Sequence, residues 1–125
     1  MTLSTHVLDA TAGRPAAGVP VRLEHLGPDG WRAAGQGRTG ADGRLGLAGG
    51  ADGHDSAHGS GQGSGQGFEP GVYRITFGSG AYFEALATAS FYPEVTVTFE
   101  MTSRGEHYHV PLLLSPFAYS TYRGS

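Results

Sequence analysis

The chain reads as an all-β domain of the sandwich or barrel kind, on three observations. About eight short segments alternate apolar and polar side chains with the two-residue period of a strand, turn signals separate them at regular spacing, and only one short stretch has helical character. At 125 residues the chain suits one domain, residues 1–125, with a single core.

Residues 3–9 (LSTHVLD) form the first segment, partly alternating and closed by the turn signal Thr11-Ala12-Gly13-Arg14-Pro15. Residues 19–26 (VPVRLEHL) put Val19, Val21, Leu23 and His25 on one face and Pro20, Arg22, Glu24 and Leu26 on the other. Gly27-Pro28-Asp29-Gly30 is a turn, and Trp31 opens a third strand. Ala41-Asp42-Gly43 then leads into a short fourth strand, residues 44–47. Residues 49–67 hold 8 of the 22 glycines and no apolar side chain larger than alanine. Such a stretch buries too little surface to offset its ordering entropy, which predicts a flexible Gly/Ser-rich loop with His54 and His58 solvated in it. Alternation resumes at residues 71–77 (GVYRITF). Residues 81–87 (AYFEALA) predict about two helical turns, with Ser79 as the candidate cap. Strands follow at residues 94–101, 107–114 and 118–123.

Composition narrows the function classes. A net charge of −3 gives no electrostatic reason to expect nucleic acid or an anionic membrane as partner. With no cysteine, disulfides and thiolate chemistry are excluded. No apolar run approaches the length of a membrane span. The opening MTLSTH has neither the basic start nor the apolar core of a secretory leader, so the cytoplasm is the expected compartment.

The first side chains to consider for chemistry are those of His107-Tyr108-His109. In a strand, His107 and His109 share a face, while Tyr108, Val110, Leu112 and Leu114 share the other, better core face. A His-x-His pair suits a metal, an acid/base pair, or two ordinary half-exposed imidazoles, and periodicity does not choose among them. Ser4, His6 and Leu8 share a face of the first strand, and Ala118, Ser120 and Tyr122 share one face of the last. Ser120 is not in a Gly-x-Ser-x-Gly elbow, a lone histidine such as His6 is commonly structural, and Arg44 after a turn is commonly a solvated cation. No phosphate-cradling glycine loop and no His-Glu-x-x-His site is present.

Residues 107–125, HYHVPLLLSPFAYSTYRGS, resemble the signature of the 5-hydroxyisourate hydrolases, the transthyretin-related proteins, whose chains characteristically end in Tyr-Arg-Gly-Ser. Residues 3–26, with His6, are similar to the family's other signature, and Thr39-Gly40-Ala41-Asp42-Gly43-Arg44 to its arginine-bearing turn. The resemblance covers nearly the whole chain; the Gly-rich stretch at 49–67 is the main departure. It implies a transthyretin-like sandwich of two four-stranded sheets with one short helix. It also implies a homotetramer whose sites lie at the dimer–dimer interface. By resemblance the catalytic set is His6, Arg44 and His109, with Ser120 and Tyr122 binding substrate, and with no metal and no cofactor. The implied reaction opens the six-membered ring of 5-hydroxyisourate at its N1–C6 amide bond, giving 2-oxo-4-hydroxy-4-carboxy-5-ureidoimidazoline. His109 is the expected base, His6 its partner or the proton donor, and His107 a supporting or interface residue rather than a catalytic one. Transthyretin itself is expected to differ at the His6, Arg44, His109 and Tyr122 positions.

Two rival readings stand beside this one. A non-enzymatic carrier of small ligands would use the same fold, and detectable hydrolysis separates it from the enzyme. A metal module would use His107 and His109, with His54 and His58; no third fixed ligand is identifiable, and activity surviving chelation would remove it.

Overall fold

The computed structural model describes residues 1–47 and 67–125. The loop expected at 49–67 therefore lies outside the described residues, apart from Gly67, and so do His54 and His58. Among the described residues the strands are β1 (Thr2–Asp9), β2 (Arg14–Pro15), β3 (Pro20–Gly27), β4 (Gly30–Arg38), β5 (Arg44–Leu47), β6 (Gly71–Phe77), β7 (Val95–Met101), β8 (His107–Ser115) and β9 (Ala118–Thr121), with helix α1 (Ser79–Ala85) between β6 and β7.

They form two sheets, one built around β1 and β8 and the other in the order β4-β3-β6-β7. β1 and β8 run parallel along the whole of β1, from Thr2 opposite His107 to Asp9 opposite Leu114. β9 closes one side of this sheet against β8. On the opposite edge of β1, β5 pairs with Leu3 to His6 and the two-residue β2 with Leu8 and Asp9. β2 and β5 thus share one column, and the sheet is four strands wide. The all-β, two-sheet sandwich with one short helix is the predicted fold.

The inner faces follow the two-residue period. Leu3, Thr5, Val7 and Asp9 of β1 are buried, while Ser4, His6 and Leu8 are half-exposed. Tyr108, Val110, Leu112 and Leu114 supply the core side of β8, against Val21, Leu23, Tyr73, Ile75 and Phe77 of the second sheet. Each fully buried side chain of this size contributes ~1.5–3 kcal/mol over an exposed one. His25, at the edge of this face, is half-buried and stacks on Tyr73 with ring centroids 4.3 Å apart.

A two-residue strand, β2, forms within the expected turn, most strand ends agree to within one residue, and two elements, the helix and the last strand, depart by two residues. The helix spans Ser79–Ala85, with Gly78 at the N-cap and no side-chain cap. The Ser79 hydroxyl donates instead to the Tyr92 carbonyl at 3.1 Å, and Tyr82 donates to the buried Asp9 carboxylate at 2.7 Å. These ties start the helix earlier than its alanine content suggests. The last strand stops at Thr121 rather than Arg123. The Gly124 N–H donates to the His109 carbonyl, so His109 and, two residues on, Pro111 turn their backbone polar groups toward β9. Pro111 has no N–H to offer the residue opposite it, Tyr122, and the ladder breaks there. Its carbonyl accepts the Thr121 hydroxyl at 2.7 Å.

Candidate active site

Register builds the outer face of the first sheet in rows. His6 pairs with Arg44 on one side and Pro111 on the other, and the β8–β9 register carries Tyr122 opposite Pro111. One row away, Ser4 lies between Gly46 and His109, with Gly124 beyond His109. Beyond the His6 row in the other direction stand Leu8, Leu113 and Ser120. Successive rows are about 7 Å apart. The sheet therefore brings His6, Arg44 and His109 into adjacent positions with Tyr122 beside them. Ser120 shares the face but stands two rows, about 13 Å, from His109 within one chain.

Local structure fixes each of these groups. Asp42 turns the chain into β5 by accepting the Arg44 N–H at 3.0 Å. Gly43 has φ +78°, and a Cβ there would collide with the Val7 carbonyl, so this turn is pressed on β1 in a way that glycine permits. The Val7 N–H donates to the Gly43 carbonyl at 2.8 Å, completing the contact. The pressed turn sets the Asp42 carbonyl 2.9 Å from His6 Nε2. A carbonyl only accepts, so His6 carries its proton on Nε2 and keeps Nδ1 for chemistry. Arg44 is exposed, with its Nε 3.9 Å from the Asp42 carboxylate, an ion pair loose enough to yield to an incoming anion.

His109 is half-buried, and its Nδ1 lies 2.8 Å from the Ser4 hydroxyl oxygen. The same oxygen lies 2.9 Å from His107 Nε2, and the other nitrogen of His107 meets the Thr2 hydroxyl. Burial holds the His109 imidazole below its ordinary pKa, helped by the positive charge that His107, His6 and Arg44 can bear nearby; donation of a ring N–H to the Ser4 backbone carbonyl opposes the shift. An imidazole so placed is neutral at pH 7 and able to take a proton. Beyond it, Arg123 sits over the Tyr108 ring, 4.7 Å from its centroid, and donates to Glu106 at 3.2 Å. These contacts tie the chain after β9 down against β8. Tyr122 itself is 60% exposed.

Chemically, the face offers a neutral base, a second imidazole with one nitrogen available, and a cation for an anionic, oxygen-rich ligand. Among the described residues, no group of three or more His, Asp and Glu side chains is arranged to hold a metal ion. Sequence reasoning put Ser4 on the right face but gave it no role, and it did not foresee the seating of Gly124 on His109. The two-residue spacing of Ser4 and His6 held the first signal; nothing local held the second.

A family model described as HIUase/Transthyretin family matches residues 3–124. The chain is 42% identical over 123 residues to a 5-hydroxyisourate hydrolase of Salmonella dublin, covering 98% of this chain and 80% of that one. Among solved structures it matches the 5-hydroxyisourate hydrolase of Klebsiella pneumoniae with a TM-score of 0.77 and 32% identity, over 100% of both chains. It matches sea bream transthyretin in complex with thyroxine equally well, with a TM-score of 0.78 and 31% identity over 98% of this chain and 93% of that one. The chain belongs to the HIUase/transthyretin family.

Proposed function

We propose that the protein is a 5-hydroxyisourate hydrolase of urate catabolism, cleaving the N1–C6 amide bond to give 2-oxo-4-hydroxy-4-carboxy-5-ureidoimidazoline. Fold likeness does not decide between hydrolase and carrier, since a hydrolase and a thyroxine complex match equally well. What carries the reading is one observation: two imidazoles and a guanidinium, His109, His6 and Arg44, occupy neighbouring positions on one outer sheet face. The likeness to hydrolases over nearly the whole chain supports it.

In this reading His109 deprotonates a water that attacks C6. Arg44 holds the substrate's oxygens and offsets the charge that develops on the carbonyl. His6 assists His109, or its free Nδ1 takes up the proton that His109 draws from the water and passes it to N1 as the bond breaks. Tyr122 and Ser120 position substrate or water, Ser120 from the margin of the site. The reaction uses neither metal nor cofactor. Four subunits in the cytoplasm, with sites at the dimer–dimer interface, complete the proposal. Phe117, exposed on the β8–β9 turn, offers apolar surface of the kind that subunit contacts cover.

Following freshly generated 5-hydroxyisourate by 13C NMR in the presence of a chelator tests the reaction itself. The proposal expects the C6 amide carbonyl to become a carboxylate faster with protein than without. An unchanged rate from folded protein would leave the carrier reading in its place.

A further inference from the structure

Four side chains form one hydrogen-bonded chain across the edge of the site: Thr2, His107, Ser4 and His109. Their arithmetic is restrictive. The Ser4 hydroxyl has one proton and stands between two imidazoles, 2.9 Å from His107 Nε2 and 2.8 Å from His109 Nδ1. It can donate to one of them and must accept from the other. A neutral imidazole has one N–H and one lone pair, so the direction of the chain fixes both tautomers together.

Two directions exist. In the outward one, His109 Nδ1–H donates to Ser4, Ser4 donates to His107 Nε2, and His107 Nδ1–H donates to Thr2. His109 Nε2 then carries its lone pair. In the inward one every bond reverses, Ser4 donates to His109 Nδ1, and His109 Nε2 carries a proton and is no base. A protonated His107 has an N–H at both nitrogens and accepts nothing: its Nδ1–H still donates to Thr2, while from Ser4 to His109 only the inward direction is allowed.

We propose that Ser4 and His107 are positioning residues that set the tautomer of His109, presenting its Nε2 lone pair while His107 is neutral and withdrawing it when His107 takes a proton. The proposal rests on the hydrolase reading for its catalytic meaning, but the hydrogen-bond chain stands without it. His107 is exposed at the start of β8, where solvent reaches it, whereas His109 is half-buried. Ser4 relays the protonation state of the outer imidazole inward. The charged and titratable groups around the pair are His6 on β1 and Arg44 on β5, which act on His109, and Glu106, which precedes His107 and is ion-paired to Arg123. None of them hydrogen-bonds to either imidazole; charge on His107 also acts on His109 through space, and Ser4 is the hydrogen-bonded link between the two.

The test reads 15N chemical shifts of the His109 ring in the substrate-free protein, together with kcat against pH, for the parent, Ser4→Ala, Ser4→Thr and His107→Ala. In the parent, His109 is expected as the Nδ1–H tautomer at neutral pH and shifts toward Nε2–H as His107 protonates. Ser4→Ala should mix the tautomers and lower kcat by roughly 10²-fold with little change in KM, and Ser4→Thr, which keeps the hydroxyl, should restore both. His107→Ala should move the acid limb of kcat to lower pH. A His109 tautomer ratio unaffected by Ser4→Ala, or an acid limb that stays in place in His107→Ala, overturns the proposal. A parent that shows the tautomer switch but hydrolyses nothing overturns the hydrolase reading and the catalytic role with it.

Discussion

The Cβ that Gly124 lacks would stand 2.5 Å from Cδ2 of His109, so the backbone after β9 lies flat on the imidazole of β8. The Gly124 N–H to His109 carbonyl bond, 2.9 Å long, holds that contact. His109 is therefore confined from two sides, by Ser4 at Nδ1 and by Gly124 on its ring.

Gly124→Ala should displace the ring by a substantial fraction of an ångström without unfolding the sheet, because both partners lie at the outer face. Turnover should fall by roughly 10- to 10²-fold, as misplacement on this scale costs catalysis. Steady-state kinetics with circular dichroism checks it, and normal kcat from a folded variant would show that the contact does not position His109.

Arg44→Ala should lower kcat/KM by roughly 10²-fold or more and leave the fold intact, because this exposed side chain meets the fold through a loose ion pair alone. Kinetics and circular dichroism on one preparation test both halves. Near-normal turnover would remove Arg44 from the catalytic set.

The Tyr82–Asp9 bond ties the helix to the first sheet. Asp9 is buried, and its other carboxylate oxygen accepts the Thr11 and Ala12 N–H groups, at 3.1 and 2.8 Å. Tyr82→Phe leaves one oxygen of a buried carboxylate unpaired and should cost about 2 kcal/mol in urea unfolding at neutral pH. Burial first, and the bond to Asp9 second, push the Tyr82 pKa up to about 12. A raised phenol pKa means that the folded state keeps the proton longer. The stabilisation is complete below the unfolded value of about 10 and is lost as pH rises from there through 12. Tyr82→Phe should flatten that alkaline loss.

At the acid end, His25 and His109 are both held below the ordinary imidazole value, chiefly by burial, with Arg32 adding to the effect at His25 and Glu69 opposing it. The unfolded chain then binds protons that the folded one refuses. Stability should be complete above about pH 6.5 and decline as pH falls through the lowered folded values. Urea midpoints against pH, in the parent and in His25→Gln, measure this; an equal acid slope in both would exclude His25 as a source.

Strand identity was legible in the sequence because burial follows a two-residue period. Leu3, Thr5 and Val7 fell on the core side, and His107 and His109 on the outer side, as alternation requires. That His6, Arg44 and His109 are neighbours was not legible from alternation. Their adjacency depends on β1 pairing with β5 on one edge and with β8 on the other, contacts between residues far apart in sequence. The helix start and the end of β9 were misplaced for related reasons. A serine hydroxyl found a carbonyl across the fold, and a proline interrupted a ladder on a partner strand.

The central claim is tested most directly by the ultraviolet absorbance of 5-hydroxyisourate generated in situ by urate oxidase, followed with the parent protein and with His109→Ala. The account predicts accelerated decay with the parent, in the presence of chelator, and decay near the uncatalysed rate with the folded variant. Decay at the uncatalysed rate from folded parent protein, or full acceleration by His109→Ala, would contradict it.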